Sequence, residues 1–236
     1  MFNGVAVITG GSSGIGLALA ERLLQHGARV AICGRSAERL QVASDLLEPF
    51  AERLLVIQAD VTDREQVRDL VTNTVERFGQ VDALINSAGA GHLGPVTETP
   101  DAMIQSLLDT NVRGALIACQ EVWPHMTAQK SGHIVNLCGI LGVKTIANAA
   151  LYCATKHALV GMGGALALEG RRLGIRVTNV CCSGVDTPFW EGIPGKPRAE
   201  VLLTPDEVAW AVADLLALPP HVIPNQIVVQ HIAHQM

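Results

Sequence analysis

Thr9-Gly10-Gly11-Ser12-Ser13-Gly14-Ile15-Gly16 is the stretch that decides how this chain folds. Before it stands Val5-Ala6-Val7-Ile8, a continuous apolar run of strand length. After it, Gly14 to His26 carries a helical pattern that Gly27 closes. Strand, glycine-rich turn and helix in that order open a βαβ unit. Glycines let the backbone turn sharply and approach a pyrophosphate with no Cβ in the way. The helix N-terminus behind them offers free N–H groups and a partial positive charge. Gly10, Ser12, Ser13, Gly14, Ile15 and Gly16 are therefore candidate dinucleotide-binding residues. Taken without its context, such a turn is only a tight loop.

The same alternation continues along the chain. Strands are expected at Arg29–Cys33, Leu54–Gln58, Asp82–Asn86, His133–Cys138, Ile175–Val180 and Ile227–Gln230. Helices are expected from the Ser36 cap to about Leu47, over Asp63–Phe78 closed by Gly79, and over Asn111–Ala128 and Ala149–Leu173. A last helix starts at Thr204-Pro205-Asp206-Glu207, with a capping residue and a first-position proline. Apolar strands alternating with helices imply an α/β fold: a Rossmann-type, doubly wound parallel sheet of about seven strands, helices on both faces. No internal repeat or linker divides residues 1–236, so one domain is expected. The one irregular stretch, 186–203, holds Pro188, Gly192, Pro194, Gly195 and Pro197 and reads as a mobile loop.

Composition excludes several classes. Of 236 residues, 49% are hydrophobic and 17% charged, enough for a large core and unlike a disordered chain. Aromatics are only 3%, so Ala, Val, Leu and Ile must fill that core. A net charge of −5 with no basic run argues against nucleic acid and anionic membrane as partners. No apolar stretch approaches the ~20 residues of a membrane span, and Met1-Phe2-Asn3-Gly4 runs straight into a strand with no signal peptide. The six cysteines form no Cys-x-x-Cys pair and read as buried thiols of a cytoplasmic protein. The eight histidines show no metal-ligand spacing, so no metal is expected.

The second strand ends in Cys33-Gly34-Arg35. An acidic residue here would bind the ribose hydroxyls of NAD, and Gly34 cannot. Arg35 offers a planar fork to a 2′-phosphate, which favours NADP(H), with NAD(H) possible if Arg35 is only a solvated cation. Asp60, after the third strand, is placed for the adenine edge.

Tyr152 is the only tyrosine, and it stands four residues before Lys156. Residues four apart on a helix lie about 5–6 Å apart at Cβ, so a phenol meets an ammonium. A neighbouring cation favours the phenolate and makes tyrosine a usable general acid or base.

Taken together, these motifs resemble the short-chain dehydrogenase/reductase family, across essentially the whole chain. The glycine turn is similar to the family's cofactor turn, and Asp60-Val61 to its adenine-side motif. Asn86-Ser87-Ala88-Gly89 is similar to its Asn-Asn-Ala-Gly segment, Asn111-Val112-Arg113-Gly114 to its asparagine segment, and Tyr152-Cys153-Ala154-Thr155-Lys156 to its catalytic helix. The resemblance implies interconversion of a small-molecule carbonyl and a secondary alcohol. Tyr152 would protonate the carbonyl oxygen that receives hydride from NADPH. Lys156 would lower the phenol pKa and hold the nicotinamide ribose, and Asn111 would support a relay water. Asn86, Ala88, Gly89, Val61, Gly184, Val185 and Thr187 would line the cofactor. Helices such as Asn111–Ala128 and Ala149–Leu173 often pair in this family, which implies a homodimer or homotetramer.

Two departures from the family pattern stand out. Gly139 lies thirteen residues before Tyr152, where the family places a serine. Losing one such donor can slow an enzyme ~10²–10³-fold. The alternative function is therefore an NADP(H)-binding protein with little turnover, a sensor or structural subunit. Ser183, a water or a substrate hydroxyl are candidate replacements, and Cys138, pointing to the other strand face, is expected to pack. The second departure is Ser183-Gly184 where the family has Pro-Gly. Phe189 and Trp190 in a lid at 186–203, and His92 after the fourth strand, are the remaining candidate substrate residues.

Overall fold

Continuous apolar strands need cover on both faces, and the structure provides it. In the computed structural model, which describes residues 1–233, the strands are β1 (Val5–Thr9), β2 (Arg29–Gly34), β3 (Leu54–Gln58), β4 (Ala83–Asn86), β5 (Gly132–Leu137), β6 (Ile175–Cys182) and β7 (Gln226–Val229). They form one parallel sheet in the order β3-β2-β1-β4-β5-β6-β7. The helices are α1 (Gly14–Gln25), α2 (Ala37–Leu46), α3 (Arg64–Phe78), α4 (Asp101–Leu108), α5 (Gly114–Gln129), α6 (Ala150–Gly170) and α7 (Pro205–Leu216).

Alternate residues of the central strands feed two cores. Ala6 and Ile8 join Leu19, Leu23, Val208 and Val212 from α1 and α7. Val7 and Ala31 join Val67, Leu70, Ile117 and Val122 from α3 and α5. Burying a side chain of this size contributes about 1.5–3 kcal/mol. Helix ends are capped by local side chains, at Ser36 and Thr204 as expected and at Asp63, which the sequence reading counts as the first helical residue. Ser36 Oγ accepts from Arg39 N, Asp63 accepts from Glu65 N and Gln66 N, and Thr204 and Glu207 form a reciprocal capping box.

Strand order reverses between β1 and β4, and their carboxyl ends form the crevice where such sheets bind ligands. A buried amide ladder crosses the next strands. Asn86 Nδ2 donates to Asn136 Oδ1 (2.9 Å), Asn136 Nδ2 to Asn179 Oδ1 (3.0 Å), and Asn179 Nδ2 to Val160 O of α6 (3.0 Å). This bolts α6 to the sheet.

The structure departs from expectation in four places. The sequence reading has no helix between Asn86 and Asn111, yet α4 and a π-helical turn, Asp109–Arg113, precede α5. Asn111 therefore sits in the π-turn, and regular α-helix begins at Gly114. Helix α6 stops at Gly170 and continues as a 3₁₀ turn over Arg171–Leu173. Strand β6 extends to Cys182, because Cys181 and Cys182 pair with Val228 and Val229. The stretch 186–203 is irregular as expected, with short 3₁₀ turns at Pro188–Trp190 and Ala199–Val201.

Candidate functional site

The glycine turn lies between β1 and α1, pressed against the neighbouring strand end. Gly10 has φ +67°, and a Cβ there would meet the Ala88 backbone at 2.8 Å. A Cβ at Gly34 would meet Ser12 Oγ at 2.7 Å. Ser13 is the N-cap of α1 but makes no side-chain cap, and the first turn has no acidic residue. Its first N–H groups are thus left for an anion. A cleft of about 390 Å³ at the β2 and β3 ends is lined by Arg35, Gln58, Asp60 and Gln66. The exposed Arg35 guanidinium has no protein partner among the described residues. Asp60 Oδ1 accepts from Thr62 N and Oγ1, each at 2.8 Å. Val61 is buried against Gly114. Turn, cleft and free cation fit an extended, phosphate-bearing dinucleotide.

The α6 pair lies beside this turn. Lys156 is buried, donates from Nζ to Leu137 O (3.1 Å), and sits 5.7 Å from the Tyr152 ring centroid. Burial lowers its pKa. Burial also pushes the Tyr152 phenol above its ordinary value, with the neighbouring Cys182, Cys153 and Cys138 thiols adding to the rise. The expected lowering by Lys156 is thus not the dominant effect here, because Lys156 is turned toward Leu137 O. Gly89 faces the same spot: a Cβ there would lie 3.4 Å from Asn111 Oδ1 and 3.6 Å from Lys156 Nζ.

Asn111 is a staple. Its Oδ1 accepts from Ala90 N (2.8 Å), and its Nδ2 donates to Ala90 O (2.9 Å) and Thr155 Oγ1 (3.0 Å). Thr155 Oγ1 donates on to Tyr152 O (2.8 Å). Both Nδ2 donors are engaged and Oδ1 accepts one bond, in a widened π-turn of the kind often found at functional sites.

Gly139 follows β5 with φ +71° and ψ 163°, a conformation essentially restricted to glycine. A Cβ there would stand 3.9 Å from both Tyr152 Oη and Cys182 O. The position faces the phenol, but a serine would be strained on this backbone. Ser183 Oγ accepts from His231 N (3.2 Å), which leaves its O–H free to donate. Cys138 packs with Ala115, Leu159 and Cys181, as expected.

The segment after β6 covers the site. Thr187 lies over the turn, and a Cβ on Gly14 would be 3.1 Å from Thr187 Cγ2. The Phe189 ring lies 5.7 Å from that of Tyr152 and 5.5 Å, edge-on, from Trp190. Trp190 Nε1 donates to Val185 O (2.9 Å). One ion pair, Arg39–Glu191, ties the segment to α2, and a second, Lys196–Asp186, closes on itself within the segment, each at 2.7 Å.

Gly89, Asn111, Gly139, Tyr152, Lys156 and Phe189 thus converge, with Gly10, Gly14, Ala88 and Thr187 alongside. Arg35, Asp60 and Val61 lie at the far end of the cleft. Two candidates stand apart from this cluster in the contacts they make. Asn86 is committed to the amide ladder, and His92 Nε2 is turned toward Gly94, without a partner among the described residues. Gly91 follows the fourth strand with His92 and was expected to line the substrate side, whereas Arg39 was missed, because only the position of the covering segment gives it meaning. No metal-holding group of three or more His, Cys, Asp or Glu exists among the described residues.

Sheet order, glycine turn and ligand crevice define the Rossmann class of α/β protein. The sequence model for short chain dehydrogenases matches residues 4–197, and the chain belongs to that family of oxidoreductases. It is 34% identical over 226 residues to an uncharacterized oxidoreductase of Staphylococcus epidermidis, covering 96% of each chain. A Staphylococcus saprophyticus counterpart, also an uncharacterized oxidoreductase, is 35% identical over 227 residues, again with 96% of each covered. Among solved structures, an alcohol dehydrogenase from the archaeon Thermococcus sibiricus, complexed with 5-hydroxy-NADP, superimposes with a TM-score of 0.90 at 27% identity, covering 98% of both chains. A phenylalanine-to-tryptophan variant of actinorhodin polyketide ketoreductase with NADPH gives 0.88 at 31% identity, covering 97% of this chain and 96% of that one.

Proposed function

We propose that this oxidoreductase interconverts a carbonyl and a secondary alcohol with NADP(H), using Tyr152 as the general acid and base. The observation that carries the reading is the convergence of Tyr152, Lys156 and the Asn111 staple beside the glycine turn, under Phe189. Gly10 to Gly16 and the α1 N-terminus would hold the pyrophosphate, Asp60 and Val61 the adenine side, and Arg35 the 2′-phosphate. Ala88, Gly89, Gly184, Val185 and Thr187 would hold the nicotinamide half. When bound, the nicotinamide supplies or accepts the hydride. Tyr152 Oη gives its proton to the carbonyl oxygen, or takes one from the alcohol. A phenol kept protonated by burial suits the reductive direction. Lys156 supplies positive charge against the phenolate as that proton leaves, and Asn111 and Thr155 fix the helix turn that carries both.

The relatives support the cofactor, since the Thermococcus and actinorhodin enzymes were solved with a 5-hydroxy-NADP and with NADPH. The setting we propose is the cytoplasm. Six buried free cysteines support it, and no helix among the described residues is long and apolar enough to cross a membrane. Exposed Ile104, Leu108 and Leu116 support a homodimer or homotetramer.

The test is loss of nicotinamide absorbance when purified protein meets NADPH and a panel of ketones. Tyr152→Phe is expected to lower kcat by ~10²–10⁴-fold while NADPH affinity stays within a few-fold. NADPH binding with no turnover on any ketone would favour the sensor reading instead.

A further inference from the structure

We propose that Gly91 and Phe189 together set substrate choice: bare backbone at 91 lets Phe189 lie against Tyr152, so that neutral, ring-bearing ketones are selected. The proposal rests on the carbonyl-reductase reading above and names its substrate class.

Gly91 lies in the loop after β4, and Phe189 in the segment after β6. A Cβ at Gly91 would collide with Phe189 Cζ and stand 2.8 Å from Ile193 Cδ1. The glycine is demanded by this contact, since its φ lies outside the left-handed range. From that seat Phe189 reaches a centroid distance of 5.7 Å from the Tyr152 ring, tilted by 39°, and Trp190 backs it edge-on. Leu93 and Tyr152 pack against the same buried cluster of Ile140, Leu141, Ala149 and Cys153.

The substrate therefore meets an aromatic wall beside the phenol, with Gly139 bare next to it. Any Cβ at 139 would be 3.9 Å from Tyr152 Oη, so a ring adjoining the carbonyl has room there. The charges of the covering segment nearest this wall are already paired: Glu191 with Arg39, and Asp186 with Lys196. Of the segment's two cations, Lys196 is held by Asp186, while Arg198 is exposed without a side-chain partner among the described residues, so a 2-oxo acid probe decides whether it serves an anionic substrate. Flat rings gain from offset or tilted contact with Phe189, whereas straight chains gain only apolar area.

The experiment compares Gly91→Ala and Phe189→Leu with the parent chain, using NADPH and three probes: a bicyclic aryl ketone, a straight-chain ketone of equal carbon number, and a 2-oxo acid. The parent is expected to prefer the ring ketone over both others. Each variant is expected to reduce the ring-to-chain ratio of kcat/KM by about tenfold, mainly through KM. A second readout needs no substrate. Tyr152 is the only phenol, so its ionisation can be followed by ultraviolet absorbance, with circular dichroism monitoring the fold. Burial raises that phenol's pKa, so lifting Phe189 is expected to bring it back toward ~10 in both variants. Unchanged ratios, or a parent that prefers the 2-oxo acid, would overturn the proposal. If no chain reduces any ketone, the carbonyl-reductase reading fails and takes the substrate class with it. A phenol that still shifts in Gly91→Ala would show that the Phe189 seat itself was placed correctly.

Discussion

At the scale of single residues, chemistry is set by what each group is already bonded to. Asn111 looks in sequence like a water holder, but its amide ties Ala90 to Thr155. Ser183 Oγ is fixed by the hydrogen bond it accepts from His231 N, and its O–H remains a donor. Gly139 shows where sequence stops. A glycine can be read from the sequence, but the sign of its φ cannot. At φ +71° and ψ 163°, alanine or serine is strained. Gly139→Ala is expected to lower unfolding free energy by about 1–2 kcal/mol in urea titration, and Gly139→Ser by a similar amount. Gly139→Ser is also expected to leave kcat no higher than the parent's. A serine variant that is fully stable and faster would mean that the backbone reverts to an ordinary strand conformation, making the glycine a simple loss of a donor.

At the scale of elements, apolar runs were enough to find every strand, and the Ser36 and Thr204 caps were legible because capping is local. The π-turn was not, because Asn111 is held by partners at Ala90 and Thr155, far away in sequence. Helix α4 was missed for a related reason: Asp101–Leu108 is short and buries only Leu107, so its apolar pattern is thin. Strand β5 carries a titration of its own. His133 is buried, with Nε2 2.9 Å from Thr178 Oγ1, and burial beside Arg176 pushes its pKa down to about 3. The unfolded chain binds this proton near pH ~6.5, and the folded chain resists it. This stability is therefore complete above about pH 6.5 and declines as pH falls from there toward 3. Between pH 7 and pH 5 the group alone is expected to remove about 2 kcal/mol of unfolding free energy. Chemical denaturation across that range should show the slope, and His133→Gln should flatten it. An identical slope in the variant would assign the acid sensitivity elsewhere.

Across the whole molecule, the carboxyl edge of the sheet carries a division of labour. The fold was legible because strand and helix periods alternate, and the near end of the crevice was legible because Tyr152 and Lys156 share one helix. The covering segment was legible as a lid bearing Phe189 and Trp190, but where it sits was not. Its seat on Gly91 and its pairing with Arg39 join positions about a hundred residues or more apart, which no local pattern encodes. The far end of the crevice turns on Arg35. Arg35, Gln58, Asp60 and Gln66 line the cleft, and Arg35 is the cation there with no protein partner among the described residues. Arg39, one turn along α2, is held by Glu191. Exposed ion pairs of that kind are worth only about 0–1 kcal/mol, so Arg39 can be recruited but is not poised. A 2′-phosphate would therefore depend first on Arg35, through charge-assisted hydrogen bonds of about 1.5–3 kcal/mol. Arg35→Asp is expected to lower kcat/KM for NADPH by roughly 10–100-fold, because it removes that bond and sets a carboxylate against the phosphate. The same carboxylate can accept from ribose hydroxyls, so kcat/KM for NADH should hold or rise. Steady-state rates with both cofactors, at fixed ketone, measure the ratio. A ratio unchanged by Arg35→Asp would move the phosphate away from Arg35, and Arg39→Gln would then be the variant that shifts it.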